Sequence, residues 1–99
     1  MNRSFIISKL ANRDIESIAD YLAENQGFES SDRFIKGITD RLTQLTQFPN
    51  IGRRRDEIFP GVCSLLYEKY LIFYTMTDEV VKVNRVANGH QDLNQFFQR

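Results

Sequence analysis

The spacing of apolar positions along the chain sorts it into elements. Phe5, Ile6 and Ile7 form a short β-branched and aromatic run that predicts a first strand. Ser8 ends that run and is placed to cap a following helix. Ile15, Ile18, Ala19 and Leu22 then recur at helical spacing, while Asp14, Glu16 and Asp20 occupy other faces. Asn25-Gln26-Gly27 breaks this helix, glycine tolerating the left-handed geometry common at helix ends. A second helix is expected to begin near Ser30-Ser31-Asp32, with Phe34, Ile35, Ile38, Leu42 and Leu45 as its apolar stripe, and to end before Pro49. So short a break makes the pair an antiparallel helical hairpin whose apolar face needs a partner.

The second half supplies that partner. Residues 47–60, punctuated by Pro49, Gly52 and Pro60, read as a loop. Val62 to Tyr67, Tyr70 to Met76 and Val80 to Ala87 read as three strands joined by the tight turns Glu68-Lys69 and Thr77-Asp78-Glu79. Tyr70 to Tyr74 is apolar on both faces, which places it centrally in an antiparallel sheet. Leu93, Phe96 and Phe97 after Asp92 predict a short terminal helix or turn. The expectation is an α+β fold of order β-α-α-β-β-β with a short C-terminal helix, residues 1–99 forming a single domain.

Charge and composition narrow the chemistry. Thirteen basic residues balance thirteen acidic ones, so the positive excess that usually accompanies phosphate-driven nucleic-acid binding is missing. We expect no specific DNA binding by this chain alone. The longest apolar run, Tyr70 to Tyr74, is far short of the roughly 20 residues that cross a bilayer. The start offers only Phe5-Ile6-Ile7, against the about 7–15 apolar residues of a signal peptide. Cys63 is the sole cysteine and His90 the sole histidine, a composition suited to a reducing compartment and unsuited to a zinc site. A cytoplasmic protein with no metal, cofactor or membrane partner is therefore expected.

Element order and local motifs together resemble the RelE/ParE toxin superfamily over nearly the whole chain, on its ParE-like branch. The first helix, Ala11-Asn12-Arg13-Asp14-Ile15-Glu16-Ser17-Ile18-Ala19-Asp20-Tyr21, is similar to that of the family, as is the loop Phe48-Pro49-Asn50-Ile51-Gly52-Arg53. The strand Tyr70-Leu71-Ile72-Phe73-Tyr74 resembles the family's central strand, and Arg85 to Asp92 follows its Arg-Val-x-His-Gly-x-Arg-Asp pattern. The chain departs from the family at Cys63, Asn88 and Gln91, where arginine, histidine and arginine are common.

The resemblance implies a toxin held in check by a cognate antitoxin, whose disordered tail folds onto the outer faces of the hairpin and the Val62 to Tyr67 strand. It implies either of two activities, because fold alone does not choose between them. ParE-like members bind and inhibit DNA gyrase; RelE-like members cleave messenger RNA on the ribosome. A third reading is a degenerate member that only binds antitoxin, given the three departures. A nuclease needs cations and a proton donor gathered on the sheet. The basic candidates are Arg53, Arg54, Arg55, Lys69, Lys82 and Arg85, with His90 and Tyr74 as proton-transfer candidates. Arg53 to Arg55 either meet phosphate or an acidic protein surface, or form a solvated loop balanced by Asp56 and Glu57. Arg85 either reaches a target or pairs with an acid such as Asp92. Tyr74, at the end of an apolar strand, is otherwise a packed residue with its hydroxyl bonded, and Cys63 a small packed side chain. The neutral charge and the scarcity of converging catalytic groups favour gyrase binding over cleavage.

Overall fold

The computed structural model describes residues 3–89 and 93–97. Its elements are β1 (Ser4–Ile7), α1 (Lys9–Gln26), α2 (Phe28–Gln47), β2 (Arg53–Arg54), β3 (Cys63–Tyr67), β4 (Tyr70–Met76), β5 (Val80–Asn88) and α3 (Leu93–Phe96). The architecture is α+β, an N-terminal strand and a helical hairpin on a five-stranded sheet of order β1-β5-β4-β3-β2.

Ser8 starts α1 as its spacing predicts. Its hydroxyl accepts the Ala11 amide at 3.0 Å and donates to the Asn84 carbonyl at 2.9 Å, so one side chain caps the helix and ties it to β5. Replacing Ser8 by alanine should therefore lower stability by about 1–2 kcal/mol, readable as a shift in thermal midpoint, with Ser8→Thr retaining most of it. The second helix begins earlier than expected, at Phe28 rather than near Ser30. Gly27 both ends α1 and opens α2 at a φ of 96°, and its carbonyl accepts the Ser30 amide at 3.2 Å. Backbone thus does the work expected of a serine side chain.

Phe34, Ile38, Leu42 and Leu45 on α2 and Ala11, Ala19 and Leu22 on α1 form one apolar seam. It packs on Tyr70, Ile72, Tyr74, Val81, Val83 and Val86 of the sheet. Ile35, expected in this seam, is 44% exposed and lies outside it.

β4 is central, as its two-faced apolar run predicts. Two features differ from expectation. The sheet is not wholly antiparallel, since β1 runs parallel to β5 with Ser4 opposite Val80 and Ile7 opposite Val83. The residue 47–60 segment also contains a strand, β2, which pairs Arg53 with Ser64 and Arg54 with Cys63. β2 covers only the first part of β3, so the edge available on that strand is Leu65 to Tyr67, not all of Val62 to Tyr67.

An irregularity in β5 sets the faces of the site. Tyr74 lies opposite Val83 but Phe73 lies opposite Arg85, so Asn84 is an extra residue in the ladder. The bulge switches the phase of alternation: Val81 and Val83 face the helices before it, and Val86 does so after it. Lys82, Asn84 and Arg85 consequently share the opposite side.

Candidate interaction surface

That opposite side carries a second, smaller core. Val62, Phe73 and Ala87 are buried there beneath Ile58, Phe59, Leu71, Leu93, Phe96 and Phe97. Phe97 organises it, meeting Phe73 edge-on at 4.9 Å between ring centres, Phe96 at 5.3 Å and Phe59 at 5.9 Å. Beside this cluster an open groove of about 970 Å³ runs between the start of α1, the face of β5 and the phenylalanines.

Arg85 stands at the groove wall. The Asp14 carboxylate accepts its Nε at 2.8 Å and its Nη2 at 2.9 Å, a two-pronged ion pair, and also accepts the Val86 amide at 2.9 Å. The guanidinium donates to the Phe96 carbonyl at 3.4 Å and lies 3.9 Å from the centre of the Phe96 ring. Hydrogen bonding to Asp14 raises its pKa further. Arg85 thus joins α1, β5 and α3, and its partner is Asp14 across the fold. Asp92 lies outside the described residues, as do His90 and Gln91.

Of the other described sequence candidates, Lys82 alone shares the groove with it. Arg54 pairs with Asp56 at 3.0 Å and Arg55 with Glu57 at 2.7 Å, so these two arginines form the self-balanced loop expected of them. The Gly61 amide and Arg54 hold the Asp56 carboxyl below its usual pKa, and Arg55 does the same for Glu57. Arg53 is exposed on β2. Lys69 lies in the β3–β4 turn over the Tyr70 ring and lines clefts beside α1, away from the groove. Lys82 does line the groove.

Tyr74 faces the helices and is fully buried. Its hydroxyl donates to the Pro49 carbonyl at 2.7 Å and accepts the Gly52 amide at 3.1 Å, pinning the loop that leads to the arginines. Burial pushes its pKa up to about 12, so the neutral phenol is the form the fold holds. Because the folded value lies above the ordinary 10, this contribution is complete below pH 10 and is lost as pH climbs toward 12. The loss should reach about 2–3 kcal/mol. Denaturant titrations of the wild type and Tyr74→Phe between pH 9 and about 12 should converge by that amount. Tyr67 and Tyr70 are also raised by burial, but they titrate in both proteins and cancel in the comparison.

Cys63 is buried opposite Tyr74 on β3, a packed side chain as expected. Asn88 lines a cleft with Asp14, Ser17 and Tyr21, separate from the groove. Among the described residues no three His, Cys, Asp or Glu side chains cluster as metal ligands, and no helix is long and apolar enough to cross a membrane. Sequence reasoning passed over Lys9, Leu10 and Phe59 in the groove wall. The signal for this face was the phase change from Val81 and Val83 to Val86, which marks the bulge.

Comparison with known proteins is consistent along the chain. The family model described as ParE toxin of type II toxin-antitoxin system, parDE, matches residues 5–93. Toxin ParE1 of Mycobacterium tuberculosis is 26% identical over 96 residues, covering 96% of this chain and 98% of the relative. Toxin ParE3 of Caulobacter vibrioides is 24% identical over 80 residues, covering 81% and 80% respectively. Among solved structures, a chain of the chromosomal ParDE TA system from P. aeruginosa superposes with a TM-score of 0.75 at 22% identity, covering 87% of this chain and 95% of that one. A chain of the toxin-antitoxin complex RelBE2 from Mycobacterium tuberculosis gives 0.64 at 17% identity, covering 89% and 99%. At these identities the superpositions establish the fold.

Proposed function

This chain belongs to the ParE toxin family of type II toxin–antitoxin systems, and from that premise we propose that it inhibits DNA gyrase by binding it and is neutralised by a cognate antitoxin. The observation that carries this reading over ribonuclease chemistry is the engagement of the would-be catalytic groups. Arg85 is locked to Asp14, Arg54 and Arg55 are paired with Asp56 and Glu57, and Tyr74 is buried on the far side of the sheet. Cleavage would require free cations and a proton donor converging on one phosphate. Lys82 and Arg85 share the groove, which is the one arrangement that speaks for a nuclease, but no histidine or tyrosine stands with them among the described residues. Binding needs only shape, apolar contact and a charge pattern, all of which the groove supplies.

An antitoxin tail would find two receiving surfaces, the groove and the free Leu65 to Tyr67 edge. Both candidate targets place the site of action in the cytoplasm. The test is controlled expression in a bacterial host with pulse-labelling of DNA and protein synthesis, followed by a supercoiling assay with purified gyrase. DNA synthesis is expected to fall first and supercoiling to be inhibited. Early loss of protein synthesis, with transcripts cut at ribosomes, would replace gyrase inhibition by the nuclease reading. Folded protein without effect on either would leave a degenerate, antitoxin-binding member.

A further inference from the structure

β1 is the last strand on its side of the sheet, and its register with β5 decides which of its backbone groups are already spent. The Ser4 amide donates to the Glu79 carbonyl at 3.1 Å and the Ser8 amide to the Val83 carbonyl at 2.9 Å, so the even-numbered residues face β5. The amides and carbonyls of Phe5 and Ile7 point the other way, and no described backbone group bonds them. Side chains alternate as well. Phe5 and Ile7 pack on the main core, whereas Ile6 is 51% exposed on the opposite face. Proteins usually protect such an edge with a proline, a bulge or a charged side chain. β1, Ser-Phe-Ile-Ile in unbroken register, has none of these.

We infer that this edge receives a second copy of the chain, the two β1 strands pairing antiparallel about a two-fold axis that passes beside Ile6. The free groups choose the register. Setting Phe5 against Ile7 of the second copy lets the pair exchange both its hydrogen bonds, and symmetry supplies that pair twice. A slip that sets Phe5 on Phe5 or Ile7 on Ile7 halves the bonding. The Arg3 amide is already held by the Thr46 carbonyl at 3.2 Å, and Lys9 belongs to α1, so neither end can extend the ladder. Side chains agree with the same register. Ile6 meets its own counterpart at the non-hydrogen-bonded position, where Cα atoms approach to about 4.5 Å and side chains pack closest. Ile6 also rims a cleft of about 280 Å³ with Met76 and Val80, so the paired isoleucines join two such clefts into one apolar strip. Phe5 meets Ile7 and Ser4 meets Ser8, so no like charges oppose each other within the strands. Charge is complementary beyond them: the exposed Asp78 and Glu79 of one copy lie two strand spacings, roughly 10 Å, from the exposed Lys9 of the other. Arg3, between them, is engaged with the Thr77 carbonyl at 2.7 Å. An edge this short buries little area, so the dimer is weak and concentration-dependent. It leaves the Leu65 to Tyr67 edge open and is independent of the gyrase reading.

Sedimentation equilibrium of the full chain, with amide exchange followed over about a hundredfold range of concentration, tests this. Expected is a monomer–dimer equilibrium in which the Phe5 and Ile7 amides exchange more slowly as concentration rises. Ile6→Lys places like charges at the closest contact and should raise the dimer dissociation constant about tenfold or more. Leu66→Lys, a matching change on the opposite edge, should leave it unaltered. Ile6→Cys supplies a second readout should the lysine disturb the fold. Its paired Cα atoms fall within the about 4.4–6.8 Å that a disulfide spans, so oxidation should cross-link it faster than Leu66→Cys. Cys63 is buried and does not compete. A chain monomeric at every concentration, a dimer indifferent to Ile6→Lys, or one lost in Leu66→Lys would overturn the inference. So would equal cross-linking of the two cysteine variants, or Phe5 and Ile7 amides whose exchange ignores concentration.

Discussion

Replacing Asp14 by alanine is expected to destabilise the fold by about 2–4 kcal/mol. Removing one partner of a buried ion pair leaves the other charge in a poor dielectric, at a cost of about 3–5 kcal/mol when burial is complete. Here the Arg85 and Asp14 side chains keep 21% and 13% of their exposure, which lowers the figure. Against that, the same carboxylate also accepts the Val86 amide, which loses this partner as well. For a domain of this size, the thermal midpoint should drop by more than about 10 °C. Asp14→Asn keeps an oxygen for the amide and should fall between. Hydrogen exchange supplies a second readout: with Arg85 freed, protection of α3 should fall before that of the hairpin.

Gly52→Ala should cost about 2–4 kcal/mol, from overpacking combined with loosened hydrogen bonds. An added methyl would run into the Tyr74 hydroxyl and approach the Ser64 carbonyl at 2.8 Å. Neither neighbour has room to yield: Tyr74 is fully buried, and Ser64 belongs to the backbone of β3. Gly37→Ala makes the instructive contrast. Its methyl also meets a tyrosine, Tyr67, but at the free end of a half-buried ring that can swing outward. Helix propensity recovers up to about 1 kcal/mol there, so Gly37→Ala should be nearly neutral. Urea denaturation of the two variants side by side checks both. A Gly52→Ala protein as stable as wild type would show that Tyr74 does not pin the loop.

The sequence was most readable where one residue's environment depends on its neighbours in the chain. Ile15, Ile18, Ala19 and Leu22 declare a helix by spacing, and Ser8 declares its start, because capping is settled within three residues. The start of α2 was misplaced because three polar residues, Ser30 to Asp32, resemble a cap more than Gly27 does. β2 was missed because a two-residue strand has no period to detect. Parallel pairing of β1 with β5 was invisible for a different reason: alternation reports which face a residue presents, not which strand lies beside it. The site followed the same division. Arg54 and Arg55 found the acids next to them in the chain, as expected. Arg85 found Asp14, 71 positions away, and no local pattern announces such a partner.

The pairing of β1 with β5 also governs when the protein becomes complete during synthesis. Ser4 lies opposite Val80, so the first strand to leave the ribosome waits for the last before it has a neighbour. At about 5–20 residues per second, that wait lasts several seconds. Until then Phe5, Ile6 and Ile7 have no sheet to join, and the hairpin lies over a floor that lacks β5. The groove comes into being in the same closing step, because Lys9 and Leu10 are early residues while Lys82 and Arg85 are late ones. A nascent chain that lacks β5 therefore lacks the groove as well.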